Sequence, residues 1–289
     1  MKLVKPKAEI LVQESGLRGI YKQIELAGRT CYKSEDKITE NSAESFVSRM
    51  IASNHLAMLE HGTVYLTREV DYTSSDYLKF ENKYESNKYT KVSYDGGMIY
   101  ITTNLRVLVE NNWIDDLQYL CKPTEYHEKR TTFKLLTSIG VTRELNRHRV
   151  HSIAEQSTRY CNYTKDKFGN EVTFCIPEWL NLKEGSYTWK DYFGDWRYID
   201  ISSPIEDKFI AELFSSERAY LELITKDWQP QQAREVLPLC TATEIIHTAF
   251  DSDWEHFFDL RYFEKTGKVH PNMKQLTTLM YEEYSNRKN

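Results

Sequence analysis

The chain has 289 residues, of which 40% are hydrophobic and 13% aromatic, so it is long enough for a substantial core and too apolar to be disordered. Its net charge of -5 excludes a surface built throughout for nucleic acid, and any anion site must be a local concentration of basic residues. The five cysteines include no CxxC pair and no window is apolar enough to span a membrane, so we expect a reduced, cytoplasmic protein without a membrane anchor.

The N-terminal part of the sequence predicts two strands and two helices. Residues 8–13 alternate between apolar and polar side chains, which is the pattern of a short strand. Apolar residues recur at helical spacing over residues 16–31 and again over residues 42–54. Residues 61–67 alternate and include β-branched side chains, so they predict a second strand.

Residues 68–128 differ from their surroundings because they are polar and rich in tyrosine. Within them, the run Asp95-Gly96-Gly97 predicts a hairpin turn before a strand at residues 98–103. We interpret this stretch as either a surface elaboration or a small subdomain.

The middle of the chain predicts a helix and an irregular region. Residues 128–151 place Phe133, Leu136 and Leu145 among their apolar positions, and we interpret them as a helix. Residues 166–204 are aromatic and irregular, so we expect a long excursion from the fold there.

The last third of the chain has a clearer pattern. It predicts a long helix at residues 205–224, a short helix that begins at Pro230 and a strand at residues 241–250. Residues 252–255 fit a capping box at the start of the next helix, and a final helix begins near Pro271. The mixture predicts an α+β fold, rich in helices and with a small antiparallel sheet.

The stretch RHRVHSIAEQSTRY at residues 147–160 concentrates basic side chains in an acidic protein. Arginine presents a rigid fork of donors that matches phosphate or carboxylate oxygens, so an anion pocket is one interpretation. A charged helix end is the ordinary alternative. Because Arg147, His148 and Arg149 are adjacent, their side chains point in different directions and cannot serve one flat surface. This geometry favours a site where several ligands or subunits meet.

Arg261 is the second unusual position. Trp254, Phe257, Phe258 and Arg261 share one helical face, so this arginine continues an apolar stripe. Its guanidinium either extends to solvent at the end of the helix or is positioned for a ligand.

Two other candidates have simpler explanations. Arg234 lies on a short helix bounded by prolines, where a structural salt bridge is the default. His61 and His55 lack the spacing and the partners of a zinc site, so a structural histidine is the ordinary explanation and we expect no metal. The sequence also lacks a GxGxxG, a Walker A loop and a GxSxG elbow, so no Rossmann-type dinucleotide site is expected.

Five segments in order carry a family resemblance. Residues 147–160 contain RHR, seven further residues and then S-x-R-Y. The other four segments are RTCYKS at residues 29–34, LEH at 59–61, AREVLP at 233–238 and FFDLR at 257–261. Together they resemble the landmarks of the flavin-dependent thymidylate synthases (ThyX) over most of the chain.

This resemblance implies an FAD-dependent methyltransferase with the ThyX fold in a single domain over residues 1–289. The implied reaction methylates dUMP to dTMP, with methylenetetrahydrofolate as carbon donor and NADPH as reductant through bound FAD. A homotetramer is also implied, with flavin and nucleotide sites between subunits and no nucleic-acid partner. Because the stretch from His61 to Arg147 is longer than in compact members, residues 68–128 would be an insertion, and residues 166–204 a second extra excursion.

The resemblance also implies site residues. For dUMP they are Glu144, Arg147, Glu155, Gln156, Ser157, Thr158, Arg159, Arg234 and Arg261. For FAD they are His61, Thr63, Arg147, His148, Arg149, Glu155 and His256. Arg261 would be the catalytic residue, since its guanidinium can stabilise negative charge on the uracil ring. Cys161 follows the motif but is not needed as a nucleophile.

Some positions depart from the family pattern. Phe250, Ser252 and His256 stand where members commonly carry an N-x-R-S-x-x-N-like run that contributes to flavin binding, so an arginine is missing. Glu144 stands where a glutamine is usual. A catalytically degenerate member is therefore one alternative. The other is a nucleotide or nucleic-acid binding protein that uses the arginines at 143, 147, 149 and 159 on phosphates.

Overall fold

The computed structural model describes residues 1–188 and 203–288. The α-helices described are α1 (Gly16–Tyr32), α2 (Ser42–Ala52), α3 (Ser75–Glu85), α4 (Leu105–Glu110), α5 (Ile139–Leu145), α6 (Pro204–Thr225), α7 (Pro230–Ala233), α8 (Asp251–Arg261) and α9 (Pro271–Lys288). The β-strands described are β1 (Lys2–Val4), β2 (Lys7–Leu11), β3 (Thr63–Glu69), β4 (Lys91–Asp95), β5 (Met98–Asn104), β6 (Arg130–Ser138), β7 (Ser152–Glu155), β8 (Thr173–Cys175), β9 (Gly185–Ser186) and β10 (Ala242–Phe250). Short 3-10 helices include Leu56–His61 and Arg234–Val236.

The described strands form three sheets. An antiparallel sheet has the order β2-β6-β10-β7, and a second antiparallel sheet has the order β3-β5-β4. In the third sheet, β1 pairs parallel with β8 and antiparallel with β9. The mixed helix-and-sheet class is confirmed, but the strands are more extensive than the single small sheet expected from the sequence.

Elements with a one-sided apolar pattern are confirmed. The helices at residues 16–31, 42–54, 205–224 and after Pro271 are α1, α2, α6 and α9, and the strands at 8–13 and 241–250 are β2 and β10. In α1 the periodic residues Ile20, Ile24 and Ala27 are all buried, so burial of this face stabilises the helix. Helix α6 begins at Pro204. The hydroxyl of Ser203, the residue before it, accepts a hydrogen bond from the Ile205 N–H and so caps the helix.

The helix expected over residues 128–151 is wrong. Residues 130–138 instead form β6, which pairs with both β2 and β10 and places Phe133 opposite Ile10 and His247. Because side chains on both faces of β6 are mostly buried, its sequence shows no alternation, and its apolar residues imitate a helical spacing. Only α5 is helical, and it begins where the Ser138 hydroxyl accepts the Val141 N–H.

The capping box expected at residues 252–255 is also wrong. Helix α8 begins one residue earlier, at Asp251, and no side chain caps it locally. The backbone N–H of Ser252 instead donates to Glu128 Oε1 at 3.0 Å, and Glu128 lies just before β6 in the chain. A carboxylate from a distant part of the chain therefore satisfies the helix start.

The hairpin expected around Gly96 and Gly97 is confirmed between β4 and β5. Both glycines have positive φ, at 55° and 79°, which a two-residue hairpin turn of this kind requires. Residues 68–128 also share a core with α1, because their buried side chains pack with it (Tyr77, Phe80, Tyr84, Ile99, Ile101, Ile20 and Ile24). Whether this stretch is an insertion relative to the family stays a prediction.

The excursion expected at residues 166–204 is described only in part. Its first portion supplies β8 and β9, and Phe174 packs in a core with Ile210 and Tyr220 of α6. Residues 189–202 lie outside the described residues. Among the helices that are described, none has the length and the apolar character needed to cross a membrane.

Candidate functional site

The RHR motif occupies the turn between α5 and the edge strand β7. Arg147 and Arg149 are exposed, whereas His148 is half-buried. The three neighbouring side chains therefore lie in different environments, as their adjacency in the sequence predicts.

Arg261 is positioned by two partners from the motif region. Its Nη1 donates to Glu144 Oε2 at 3.0 Å, and its Nε donates to His148 Nε2 at 3.2 Å. The His148 ring also packs edge-on against Phe257, with centroids 4.7 Å apart. The guanidinium at the end of the apolar stripe is thus fixed by partners rather than left free in solvent.

The protonation state of His148 follows from this contact. Burial, together with the nearby Arg261 guanidinium, lowers the pKa of His148 to about 4. At neutral pH the ring is uncharged, so Nε2 can accept the Arg261 N–H while Nδ1 carries the proton. Protonation of His148 would replace this hydrogen bond by repulsion between two cations.

A second group of predicted residues lies on the loop after β7. The backbone N–H of Gln156 donates to the Glu244 carbonyl, and that of Ser157 donates to the Cys31 carbonyl, each at 2.8 Å. These contacts with β10 and α1 fix the loop at both elements. The family segment that contains Cys31 is therefore adjacent to the motif in space.

Arg234 approaches this loop from the 3-10 helix after α7. Its Nη1 donates to Thr158 Oγ1 at 3.0 Å, and its Nε lies 3.5 Å from Glu235 Oε1. The structural salt bridge expected for Arg234 is present, yet the same side chain also reaches the motif. Arg159 is exposed, with its guanidinium 5.3 Å from the ring centroid of Tyr160. This loop thus offers guanidinium and hydroxyl donors to an anion.

Glu155 ends β7 in a half-buried position. Burial raises its pKa, and hydrogen bonds from Thr142, Thr243 and Asn146 oppose that shift. The carboxylate is therefore connected to α5 and β10, the elements on either side of it. It is less easily ionised than a carboxylate in water.

His61 and Thr63 lie inside the protein. His61 is fully buried; its Nδ1 lies 2.9 Å from Thr248 Oγ1, and its Nε2 has no hydrogen-bond partner in residues 1–188 and 203–288. Burial lowers the pKa of His61 to about 3, and the nearby Arg130 contributes. Thr63 exchanges backbone hydrogen bonds with the Gln13 side chain, which anchors β3.

Arg130 is a residue that the sequence interpretation missed. Although only 8% exposed, it begins β6 and donates to the Glu60 carbonyl at 3.0 Å and to Thr63 Oγ1 at 3.3 Å. The sequence interpretation placed Arg130 in a helix over residues 128–151 and therefore did not identify it as a buried residue. An arginine at the start of a strand next to threonines was the available signal, because such a residue must be buried with polar partners or reach a ligand.

A cavity of about 250 Å³ adjoins Arg130. It is lined by Arg149 of the motif and by residues of the tyrosine-rich stretch, including Lys91 and Arg106. Two segments far apart in the sequence therefore form one basic wall. Arg147 and His256 do not line this cavity and are exposed.

A histidine pair lies behind the motif. His151 Nδ1 and His247 Nε2 are 2.8 Å apart, and both rings pack against Trp254 at centroid distances of 4.7 Å. Burial lowers the pKa of His151 to about 3 and that of His247 well below its usual value. Neutral rings are therefore part of the packing between β7, β10 and α8.

A known protein family and several known proteins are similar to this chain. The family model for thymidylate synthase complementing protein matches residues 84–287. Flavin-dependent thymidylate synthases from Pyrococcus furiosus and Pyrococcus abyssi are 30% and 27% identical over 146 residues, which are 50% of this chain and 50% of each relative. The chain thus spans about half the length of the curated relatives it matches. A UMP/dUMP methylase, PolB from Streptomyces cacaoi, solved with 5-Br UMP, has a TM-score of 0.45 and 16% identity over 99% of this chain and 92% of that one.

Proposed function

Since the chain belongs to the thymidylate synthase complementing protein family, we propose that it methylates dUMP to dTMP through bound FAD. Methylenetetrahydrofolate would be the carbon donor and NADPH the reductant. The observation that carries this proposal is the fixed guanidinium of Arg261, oriented by Glu144 and by His148 of the RHR motif.

The loop after β7 would bind the nucleotide. Arg234 and Arg159 provide charged donors for its phosphate, and Ser157 and Thr158 provide hydroxyls. Gln156, Glu155 and Arg147 complete the proposed contacts. The backbone hydrogen bonds of this loop support the assignment, because they fix its shape before the ligand arrives.

Arg261 would act on the uracil ring as an electrostatic catalyst. A guanidinium does not act as a base at neutral pH, but it stabilises negative charge that develops on the pyrimidine. Glu144 and neutral His148 orient it, so little reorganisation is needed during the reaction. Glu144 stands where a glutamine is usual in the family, and in this chain its carboxylate forms an ion pair with Arg261.

The residues present also fit a flavin dinucleotide. The basic wall formed by Arg149 and Arg130 suits phosphate groups, and the buried Nε2 of His61 has no protein partner among the described residues. His148, Thr63 and His256 would complete this side of the site, with Arg147 and Glu155 at its boundary with the nucleotide. When bound, flavin supplies the hydride that reduces the transferred one-carbon unit.

The size of the basic cavity favours a site shared between subunits. Ligand pockets commonly measure about 300–1,000 Å³, whereas this cavity measures about 250 Å³ and would enclose only part of a dinucleotide. Val150 and Tyr160, which flank the motif, are each 57% exposed. Association through this face would bury them, in keeping with the proposed homotetramer.

An absorption spectrum of the purified protein tests the proposed function. Flavin bands that bleach anaerobically with NADPH, at a rate changed by dUMP, are expected if both ligands share one site. A colourless protein that takes up no added FAD would exclude the flavoenzyme. The degenerate family member and the nucleic-acid binding protein would then remain as the explanations.

One observation favours the nucleic-acid alternative. The arginines at 143, 147, 149 and 159 are all exposed, so they are accessible to phosphates. The net charge of -5 opposes this alternative. Salt-dependent binding of single-stranded oligonucleotides, unaffected by saturating FAD and dUMP, would support it over the synthase.

A further inference from the structure

Arg130 is a buried cation that forms no direct ion pair with any described residue. All its hydrogen-bond acceptors are uncharged: the Glu60 carbonyl, Thr63 Oγ1 and Ser152 Oγ, the last 3.5 Å from Nη2. Its Nε is buried and has no partner within the described residues. The Glu60 and Asp253 carboxylates act on the guanidinium only through space, without a direct ion pair. A buried charge is costly unless it is paired, so an anion from outside the chain would stabilise this group.

The cavity beside Arg130 carries an excess of positive charge. Lys91 of β4 and Arg149 also line it. Among the lining carboxylates, Glu60 and Glu110 are already ion-paired with Arg106. Asp253 remains as one carboxylate against the three cations Lys91, Arg130 and Arg149, so positive charge is in excess.

Phe250 lies between two of these cations. Its ring centroid is 5.4 Å from the Arg130 guanidinium and 5.7 Å from the Lys91 ammonium. Phe250 and Ser252 begin the run in which the arginine common to the family is missing, and the Ser252 N–H is occupied by Glu128. In this chain the positive charge beside Phe250 therefore comes from Lys91 of β4 and Arg130 of β6.

We propose that this cavity is a phosphate-binding subsite for the flavin dinucleotide, in which Arg130 and Lys91 supply the charge that the missing arginine would have supplied. The proposal rests on the proposed function, since it assigns the anion to FAD. It also gives residues 68–128 a role, because Lys91 comes from that stretch. The phosphates of the reductant are the other source with the same chemistry.

Calorimetric titration of the flavin-free protein with riboflavin and with FAD tests the subsite. For Arg130→Gln, FAD affinity should fall about 10- to 100-fold, the range expected when a hydrogen bond to a charged group is lost. Riboflavin affinity should stay unchanged, because riboflavin has no phosphate. Equal losses for both ligands, or no loss for either, would overturn the proposal.

A second variant keeps the subsite testable if Arg130→Gln does not fold. Lys91 is exposed on β4, so Lys91→Ala should fold normally and show a smaller loss of FAD affinity in the same direction. Lys79→Ala is the matched control, because Lys79 is an exposed lysine of the same stretch that does not line the cavity. A control that loses as much affinity as Lys91→Ala would contradict a local subsite.

Thermal unfolding with inorganic pyrophosphate separates this proposal from the synthase assignment. Pyrophosphate should raise the Tm of the wild-type protein, less so for Lys91→Ala, and not after saturation with FAD. A shift abolished by NADPH but not by FAD would overturn the flavin assignment. A shift that depends on Lys91 in a protein that binds no flavin would leave the anion site standing and refute the proposed function. Flavin binding without any pyrophosphate shift would refute the subsite alone.

Discussion

The guanidinium of Arg261 owes its orientation to partners more than a hundred positions earlier in the chain. Glu144 binds one of its nitrogens and His148 another, so two separate contacts define the plane of the group. A fixed, desolvated donor stabilises a transition-state charge far better than a mobile one in water. The contribution of Arg261 should therefore appear in turnover more than in binding.

Arg261→Gln should lower kcat about 100- to 1,000-fold, the effect of removing one preorganised donor, and change KM for dUMP much less. Steady-state assays of dTMP formation measure both constants. Arg143→Gln is the control, since Arg143 is an exposed arginine next to Glu144 on α5. A variant with unchanged kcat and only a raised KM would assign Arg261 to binding alone.

Cys161 illustrates a reactive residue type in an unreactive setting. It is 1% exposed, and burial raises the pKa of its thiol, so thiolate is scarce at neutral pH. Cys161→Ala should keep its kcat and lose about 1 kcal/mol of stability. Activity assays and urea unfolding measure the two effects. Loss of activity in a folded variant would return Cys161 to the list of catalytic candidates.

Among the secondary-structure elements, β10 organises the buried histidines. His247 on this strand contacts His151, and Thr248 contacts His61. All three rings have a pKa below the ordinary 6.5 because they are buried. Unfolding exposes them, so the unfolded chain binds more protons than the folded chain as the pH falls below 6.5.

Stability should therefore decrease as the pH is lowered from 6.5 towards 4 and be insensitive to these groups above 6.5. Each buried histidine adds up to about 1.4 kcal/mol per pH unit to the slope. Urea unfolding at pH 7.5, 6.5 and 5.5 measures it. His151→Asn should flatten the slope, whereas His55→Asn, at an exposed position, should reproduce the wild-type slope. Equal slopes in all three proteins would contradict the buried-histidine explanation.

Strand β6 is the element on which the sheet and the adjacent helix depend. Phe133 is fully buried and packs edge-on against Trp254 of α8, with centroids 4.9 Å apart. Phe133→Ala should cost about 3–5 kcal/mol in the free energy of unfolding, because it removes a large side chain and leaves a cavity. Lys129→Ala, at the exposed position before the strand, should stay within about 0.5 kcal/mol. Denaturant titrations of both variants give the comparison, and a small loss for Phe133→Ala would argue against this packing.

At the level of the whole molecule, we predict that a second subunit completes the proposed site. The basic cavity is small, and the motif is flanked by exposed Val150 and Tyr160. Light scattering after size exclusion should therefore give the mass of four chains. Val150→Glu should shift the distribution towards smaller species and weaken FAD binding together with assembly. A monomer that binds FAD with full affinity would refute a shared site.

The sequence alone supported the family and most of the candidate residues, since RHR, LEH, AREVLP and FFDLR depend on residue type and order rather than on packing. Helices α1, α2, α6 and α9 were also predictable, because each has an apolar face that repeats at helical spacing. The hairpin at Gly96 and Gly97 was predictable for a local reason, the positive φ of its turn. Such signals depend on only a few neighbouring residues, so they can be recognised in the sequence without knowledge of the fold.

Only the tertiary structure decided what depends on distant partners. Strand β6 looked like a helix because side chains on both of its faces are mostly buried, which removes the alternation that marks a half-exposed strand. The start of α8 is satisfied by the distant Glu128, and Arg130 is buried without a direct ion pair in the part of the chain that the structure describes. Burial and pairing are properties of the folded chain, so the candidate residues follow from the sequence while their environments and protonation states follow from the packing.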